Sequence, residues 1–213
     1  MERSVSQRAG AVDKRRQILD AAVTVFAQQG FHATRVSDIA DEAGVAYGLV
    51  YHYFNSKDQV LNELFLERWS LLLVAIEEAE KTEGRHREKL GAVAGFIFES
   101  YRYDPDLMKV IIVEVTRAAN TFGRTHLAEI REAYARIAAI VATAQAAGDF
   151  RREITPQFAA QTFYGAMEQL LTGWIFDSAD RGEPDFEQAK AMIVDMICVG
   201  LEPRDEPAVS ESA

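Results

Sequence analysis

Apolar residues recur along this chain of 213 residues at spacings of three and four, the period that gathers side chains on one face of an α-helix. No Asn-Gly or Asp-Gly turn joins two runs of alternating apolar and polar residues, so the sequence gives no sign of β-hairpins. The pattern therefore predicts an all-α protein, with short helices near the N-terminus and longer helices after residue 57.

The most informative segment is a pair of short predicted helices. Gly30 and Gly44 follow apolar-patterned stretches, and glycine readily adopts the left-handed conformation that ends a helix. A helix, a tight turn and a second short helix form a helix-turn-helix, whose second helix fits the major groove of DNA, about 12 Å wide. The predicted helices cover about 13–29, 36–43 and 47–53, and a fourth begins at Asn55 or Ser56 and runs to about Lys81.

These short helices must share a core, because neither is long enough to be stable alone. We expect Ile39, Ala40, Val45, Val50 and Phe54 to pack against Ile18, Ala22 and Phe26 of the first helix. After a polar loop at 81–89, the pattern predicts helices over about 88–103, 105–119, 124–147, 156–177 and 185–201.

The predicted domains follow from these elements. Residues 1–57 form a flexible basic arm and a three-helix helix-turn-helix domain, and residues 58–201 form a helical effector-binding and dimerisation domain. Residues 202–213, with two prolines and no apolar pattern, form a frayed tail.

The charge distribution supports this division. The net charge of −10 argues at first against a DNA partner, since phosphates attract cations. However, residues 1–57 contain 7 Lys and Arg against 6 Asp and Glu, whereas the remainder contains 16 against 27. The N-terminal part is therefore slightly basic, and the acidity lies in the larger part.

Residues 12–61 resemble the DNA-binding domain of the TetR family of bacterial transcriptional regulators. The resemblance rests on Arg16 to Ala22, Val36 to Ala40, Ala43-Gly44-Val45 and Gly48 to Phe54 with Ser56-Lys57. Arg35, Ala46 and Leu49 depart from the family's usual Ser or Thr. A simpler alternative is that the aromatic residues of 51–54 only pack in a core. The resemblance implies that Thr34, Tyr51, His52, Tyr53 and Lys57 hold phosphates, with Ala46, Tyr47 and Gly48 closest to the bases. Arg35 completes the predicted DNA-binding set.

In this family the last two helices pair with a second subunit, and the sequence supports a homodimer independently. The predicted helices at 156–177 and 185–201 carry apolar stripes too wide for one core face, although an intramolecular core is the alternative. The predicted interface residues are Phe163, Met167, Leu170, Trp174, Met192, Ile193, Met196 and Ile197.

A small hydrophobic effector is the other expected partner. Stretches such as Ile111 to Arg117 loosely resemble the acyl-CoA-responsive repressors of fatty-acid degradation, and Arg102, Lys109 and Arg117 offer cations for an anionic group. The alternative is a multidrug-sensing repressor, with Glu114 facing a cation. The predicted ligand-binding residues are Trp69, Phe96, Tyr101, Val113, Glu114, Arg117, Phe122, Tyr134, Phe163 and Met167.

Other classes of protein receive less support. The sequence carries no phosphate-binding loop, nucleophile elbow or zinc-protease motif, so we expect no catalytic residues, cofactor or metal. A helical metal- or haem-binding protein is the alternative, but His126 with Glu129 is interpreted as a solvated pair. A single cysteine, Cys198, is expected to be buried, and the absence of a long apolar run predicts a cytoplasmic protein without a membrane span.

Overall fold

A computed structural model describes residues 2–115, 126–177 and 185–203, with side chains from residue 13 onward except those of 114, 115 and 177. Within these ranges all regular structure is helical, which confirms the predicted fold class. The elements are α1 (Glu2–Gln29), α2 (Val36–Glu42), α3 (Tyr47–Tyr53), α4 (Lys57–Lys81), α5 (His86–Tyr103), α6 (Pro105–Val110), a π-helical segment (Ile111–Val115), α7 (Leu127–Ala147), α8 (Pro156–Asp177) and α9 (Phe186–Leu201).

Two predicted elements were wrong in detail. Helix α1 begins at Glu2, so the segment expected to be a flexible arm is helical. Extending an existing helix adds one hydrogen bond per residue fixed, and no proline interrupts residues 1–16. The helix expected over 105–119 is α-helical only to Val110 and continues as the π-helix, where three successive β-branched residues disfavour α-helical geometry. The end of that prediction, at 116–119, lies outside the described residues.

The chain folds into two compact units. The first contains residues 1–71 and 100–126 and holds the helix-turn-helix. Its core confirms the packing expected from the sequence, because α2 and α3 bury their apolar faces against α1, and Val110 of α6 joins them. The members at its centre are Ile18, Ala22, Phe26, Ile39, Ala40, Val50, Phe54, Leu61 and Val110, each no more than 2% exposed.

Salt bridges also join α1 to α4 within the first unit. The Arg15 guanidinium lies 2.6 Å from a Glu63 carboxylate oxygen and 3.2 Å from one of Glu67. Arg16 reaches the other oxygen of Glu67 at 3.2 Å and Asp20 of its own helix at 2.8 Å. All these groups are partly exposed, so each pair stabilises the fold only slightly, but together they fix the arginine side chains against protein carboxylates.

The second unit contains residues 72–99 and 127–213. Helix α7 packs along α8, and Trp174 of α8 lies between Phe98 of α5 and Phe186 of α9, with ring centroids 5.5 and 5.4 Å away. The thiol of Cys198 is buried, as predicted, and burial raises its pKa to about 11. The part of the predicted frayed tail from residue 204 lies outside the described residues. No helix of the described ranges is long and apolar enough to span a membrane.

Candidate nucleic-acid interface

The turn between α2 and α3 is held from both sides. Gly44 adopts a φ of 59°, which glycine tolerates without strain, and the Val45 amide donates to the Ala40 carbonyl at 3.0 Å. The Gln17 side-chain amide of α1 donates to the Ala43 carbonyl at 2.7 Å. Because these contacts fix the turn, α3 stands on the first unit's core with its opposite side in solvent.

That solvent-facing side, the α3 reading face, consists of Ala46, Tyr47, Gly48, Tyr51 and His52, all of which are exposed. The Tyr47 and Tyr51 hydroxyl groups lie 3.2 Å apart, and their rings meet edge to face with centroids 5.1 Å apart. The hydrogen bond with Tyr51 raises the pKa of Tyr47, so the Tyr47 phenol stays neutral and can donate a hydrogen bond at ordinary pH.

Gly48 gives this face a gap between the two tyrosines. A Cβ atom added there would meet no atom of the protein within 4 Å. The fold therefore does not need a glycine at this position, which has ordinary helical backbone. A partner that approaches the α3 backbone closely does need one.

The start of α2 explains how Arg35 is accommodated. A Ser or Thr at this position would cap the helix, but here the Asp38 carboxylate accepts the Arg35 backbone N–H at 2.8 Å. That hydrogen bond lowers the pKa of Asp38 below its usual value. Arg35 is exposed, so its guanidinium group lies at the surface beside the start of α2.

Two predicted phosphate ligands are placed differently. Thr34 is 2% exposed, and its hydroxyl donates to the Gly30 carbonyl at 2.8 Å, so the side chain supports the turn after α1. Tyr53 is half-buried against the first unit's core. Burial removes the Thr34 hydroxyl from the surface where a phosphate would bind.

Lys57 is also engaged inside the protein. Its ammonium group donates to the carbonyl oxygens of Phe31, Thr34 and His32 at 2.7, 2.9 and 3.1 Å. An ammonium group has three protons, so these three acceptors use all of them. Lys109, expected to offer a cation to an effector, donates instead to the Ala27 carbonyl at 2.7 Å.

Comparison with known proteins identifies the family. Residues 18–64 match the model described as bacterial regulatory proteins, tetR family, and residues 65–190 match the YsiA-like protein C-terminal region. The chain belongs to the TetR family. The resemblance stated from the sequence is thereby confirmed, and it extends well beyond the DNA-binding domain.

Relatives that are similar over most of the chain carry regulatory names. The fatty acid metabolism regulator protein of Bacillus subtilis is 33% identical over 162 residues, which cover 76% of this chain and 83% of that protein. The structure of FadR from Bacillus subtilis in complex with stearoyl-CoA matches 88% of this chain and 100% of its own, with a TM-score of 0.79 and 26% identity. FadR from Bacillus halodurans matches the same shares with a TM-score of 0.77 and 26% identity.

These matches confirm the predicted function, a ligand-responsive DNA-binding transcriptional repressor of the TetR family. The relatives are regulators, not enzymes. Among the residues that the structure describes, no three His, Cys, Asp or Glu side chains are grouped to hold a metal ion.

The predicted effector residues of this TetR-family chain fall in both units. In the first unit, buried Trp69 stacks on Phe65 with centroids 5.0 Å apart, while Tyr101 and Val113 are half-buried. His126 is also buried, with its ring 4.6 Å from that of Phe65, so its interpretation as part of a solvated pair was wrong. The π-helix covers the start of the apolar stretch that suggested an effector site, and π-helical turns frequently occur at functional sites.

In the second unit, Phe96 and Tyr134 are half-buried, and the Tyr134 ring meets that of Tyr164 edge to face at 5.5 Å. Phe163 and Met167 are fully buried. The Glu114 side chain and the residues Arg117 and Phe122 lie outside the described part of the chain.

The predicted dimer residues separate into two groups. Leu170, Met192 and Met196 are exposed, and Met196 is 72% exposed. Phe163, Met167 and Ile193 are covered by their own chain, so assigning them to an intersubunit surface was wrong, while Trp174 and Ile197 are half-buried. Periodicity finds the two apolar faces of a helix but does not tell which one faces inward. On α8 and α9, the large exposed apolar residues missed by the sequence analysis include Phe158, Phe176 and Val199.

Proposed function

We propose that this chain represses transcription as a homodimer in the bacterial cytoplasm, where two α3 reading faces bind the half-sites of a pseudo-palindromic operator. A long-chain acyl-CoA releases the DNA. The observation that carries the DNA-binding part is the α3 reading face itself. Its exposed hydroxyl groups and glycine gap stand on a fully buried scaffold, as a helix that enters the major groove requires.

The residues of this interface have different roles. Ala46, Tyr47 and Gly48 begin α3, and the start of a recognition helix is the part that contacts base edges. Tyr51 and His52 lie one turn further along and donate to phosphates, as does the exposed Arg35 before α2. Base contacts set the preferred sequence, whereas phosphate contacts set affinity for any duplex.

The second unit supports the homodimer. Met192, Met196 and Val199 follow one another at spacings of four and three, which places them on one side of α9. Phe158 and Phe176 are 61% and 62% exposed on α8. Large exposed apolar side chains concentrated on two consecutive helices are typical of a surface that a partner covers. Two-fold pairing of α8 and α9 would bury this surface and present two reading faces to DNA.

Similarity to the stearoyl-CoA complex and to the fatty acid metabolism regulator supports the effector. The chain has the aromatic and aliphatic residues that an acyl chain would contact, and its sequence offers the cations of Arg102 and Arg117 to the anionic head. Helix α4 begins directly after the helix-turn-helix and contributes residues to both compact units, so a shift of α4 would move the reading face. A coupling of about 1–3 kcal/mol changes operator affinity about 5- to 150-fold, which is enough to release DNA.

The experiment is selection of bound DNA from a random duplex pool, followed by titration of the complex with stearoyl-CoA. We expect selection of an inverted repeat, release at micromolar stearoyl-CoA and no release by free CoA. The acyl chain supplies the difference, since each buried methylene contributes about 0.8 kcal/mol. Arg117→Ala should weaken the response to stearoyl-CoA without changing affinity for the operator.

Different outcomes contradict different parts of the proposal. Failure to select any duplex would refute the assignment of the α3 reading face. Release by lipophilic cations together with indifference to every acyl-CoA would refute the fatty-acid effector and favour a drug-sensing repressor. A single 23.8 kDa species in sedimentation at micromolar concentration would refute the homodimer.

A further inference from the structure

Side-chain donors hydrogen-bond to several backbone carbonyl groups at the end of α1 and in the connection that follows it. Gly30 closes the helix with a φ of 81°, and its carbonyl accepts the Thr34 hydroxyl at 2.8 Å. The last carbonyls of a helix have no partner within the helix, so they need donors from elsewhere. In this protein Lys109 of α6 donates to one of these carbonyls, and Lys57 of α4 donates to carbonyls of the connection that follows α1.

Lys57 acts on the connection between α1 and α2. It stands first in α4, and its ammonium nitrogen lies 4.6 Å from the centre of the Phe31 ring. From there it reaches three carbonyl oxygens spread over residues 31–34, at 2.7 to 3.1 Å. A phosphate could bind this ammonium only by displacing a carbonyl, which leaves that acceptor without its donor.

Lys109 acts one turn earlier, on α1 itself. Its ammonium donates to the Ala27 carbonyl at 2.7 Å, where a cation also complements the negative end of the helix dipole. Its neighbours fix α6 in place, since Val110 is 1% exposed within the first unit's core and Leu107 packs against it. Lys57 therefore connects α4, and Lys109 connects α6, to the segment that leads into the helix-turn-helix.

We propose that Lys57 and Lys109 form a lysine clamp: they are positioning residues that fix the α1–α2 connection, and through it α2 and α3, instead of binding phosphate or effector anions. The proposal rests on the proposed function, because its consequence is read out through DNA binding. In this proposal α4 and α6 directly contact the end of α1 and the α1–α2 connection, and this connection sets the position of the α3 reading face.

The salt dependence of DNA binding separates a clamp from a phosphate ligand. Each phosphate contact contributes about one to the slope of log affinity against log salt concentration. Lys57→Met keeps the apolar stem against Phe31 but removes the donors. We expect it to bind the duplex selected by the wild type about tenfold more weakly at every salt concentration, with an unchanged slope. Lys109→Met should behave alike.

Two variants serve as matched controls. Arg35→Gln removes an exposed cation from the same region, so it should lower the slope by about one. Lys57→Arg keeps several donors and should restore most of the affinity. A slope lowered by about one in Lys57→Met, or wild-type affinity in both methionine variants, would overturn the clamp.

Amide hydrogen exchange tests the clamp without DNA. The Thr34 amide, which donates to the Gly30 carbonyl at 3.3 Å, should exchange faster in Lys57→Met than in wild type, while amides in α7 stay unchanged. Unchanged exchange at Thr34 would contradict the clamp even if no duplex were ever selected. Accelerated exchange in a protein that binds no DNA would instead support the clamp and refute the proposed function.

Discussion

Replacement of Gly48 by alanine distinguishes a DNA-reading face from an ordinary exposed helix. The added Cβ would meet no protein atom within 4 Å, so alanine at this position would not clash with the rest of the protein. Glycine within a helix costs about 0.5–1 kcal/mol relative to alanine. Gly48 is the second residue of a helix of seven, and propensity differences are smaller there than in a helix interior, so we expect Gly48→Ala to stabilise the fold by about 0.5 kcal/mol or less.

Binding to DNA should change in the opposite direction. The new methyl group would project from the α3 reading face between Tyr47 and Tyr51, where a base edge or sugar must approach the backbone. An extra methyl in a well-packed contact costs about 1–3 kcal/mol, which corresponds to about 5- to 150-fold weaker affinity. A variant that is at least as stable as wild type and binds its operator less tightly has lost a contact, not its fold.

Thermal unfolding and fluorescence anisotropy with the selected duplex measure the two effects separately. Gly91→Ala is the matched control, because Gly91 also lies in a helix, α5, and its added Cβ also meets nothing within 4 Å. It should stabilise the protein and leave affinity for DNA unchanged. Wild-type affinity in Gly48→Ala would mean that DNA does not approach this part of α3, and the reasoning from the glycine gap would be wrong.

Three further predictions follow from exposed or buried side chains. Tyr47→Ala should change which sequences are selected, whereas Tyr51→Phe should weaken binding to all duplexes; identical selected sequences for wild type and Tyr47→Ala would contradict base reading. Met196→Glu should dissociate the dimer in sedimentation, because an unpaired carboxylate in an apolar interface costs several kcal/mol, while Ala139→Glu, at an exposed position of α7, should not. The Cys198 thiol, with its pKa raised to about 11 by burial, should resist alkylation at pH 9 until the protein unfolds. Since the unfolded thiol ionises from about pH 8.5, the free energy of unfolding should fall between these pH values, and this fall should be smaller in Cys198→Ala.

Local signals explain how well the sequence predicted α3. Its bounds, 47–53, agree with the structure because Gly44 ends the preceding turn and Phe54 needs a place in the core. These determinants lie within ten residues of one another. The exposed positions of the α3 reading face followed from the same helical period.

Long-range contacts explain what the sequence did not predict. Lys57 meets carbonyl groups 23 to 26 residues away, and Lys109 meets one 82 residues away. A lysine next to a DNA-binding motif has the same chemistry whether its acceptors are phosphates or carbonyls. Likewise, Ile193 and Met196 are both apolar, yet only the tertiary fold decides that the first is covered and the second exposed.

The arginine pairs between α1 and α4 have a consequence for how the protein searches the chromosome. Arg15 and Arg16 are held by Glu63 and Glu67, so charges near the DNA-binding unit are neutralised before DNA arrives. Fewer counterions would then be displaced when the protein meets arbitrary DNA, so its residence on non-operator sites would be shorter and less sensitive to ionic strength. Recognition would depend mainly on neutral hydroxyl groups and close fit, which favours a regulator that samples many sites quickly and stays only where the groove matches.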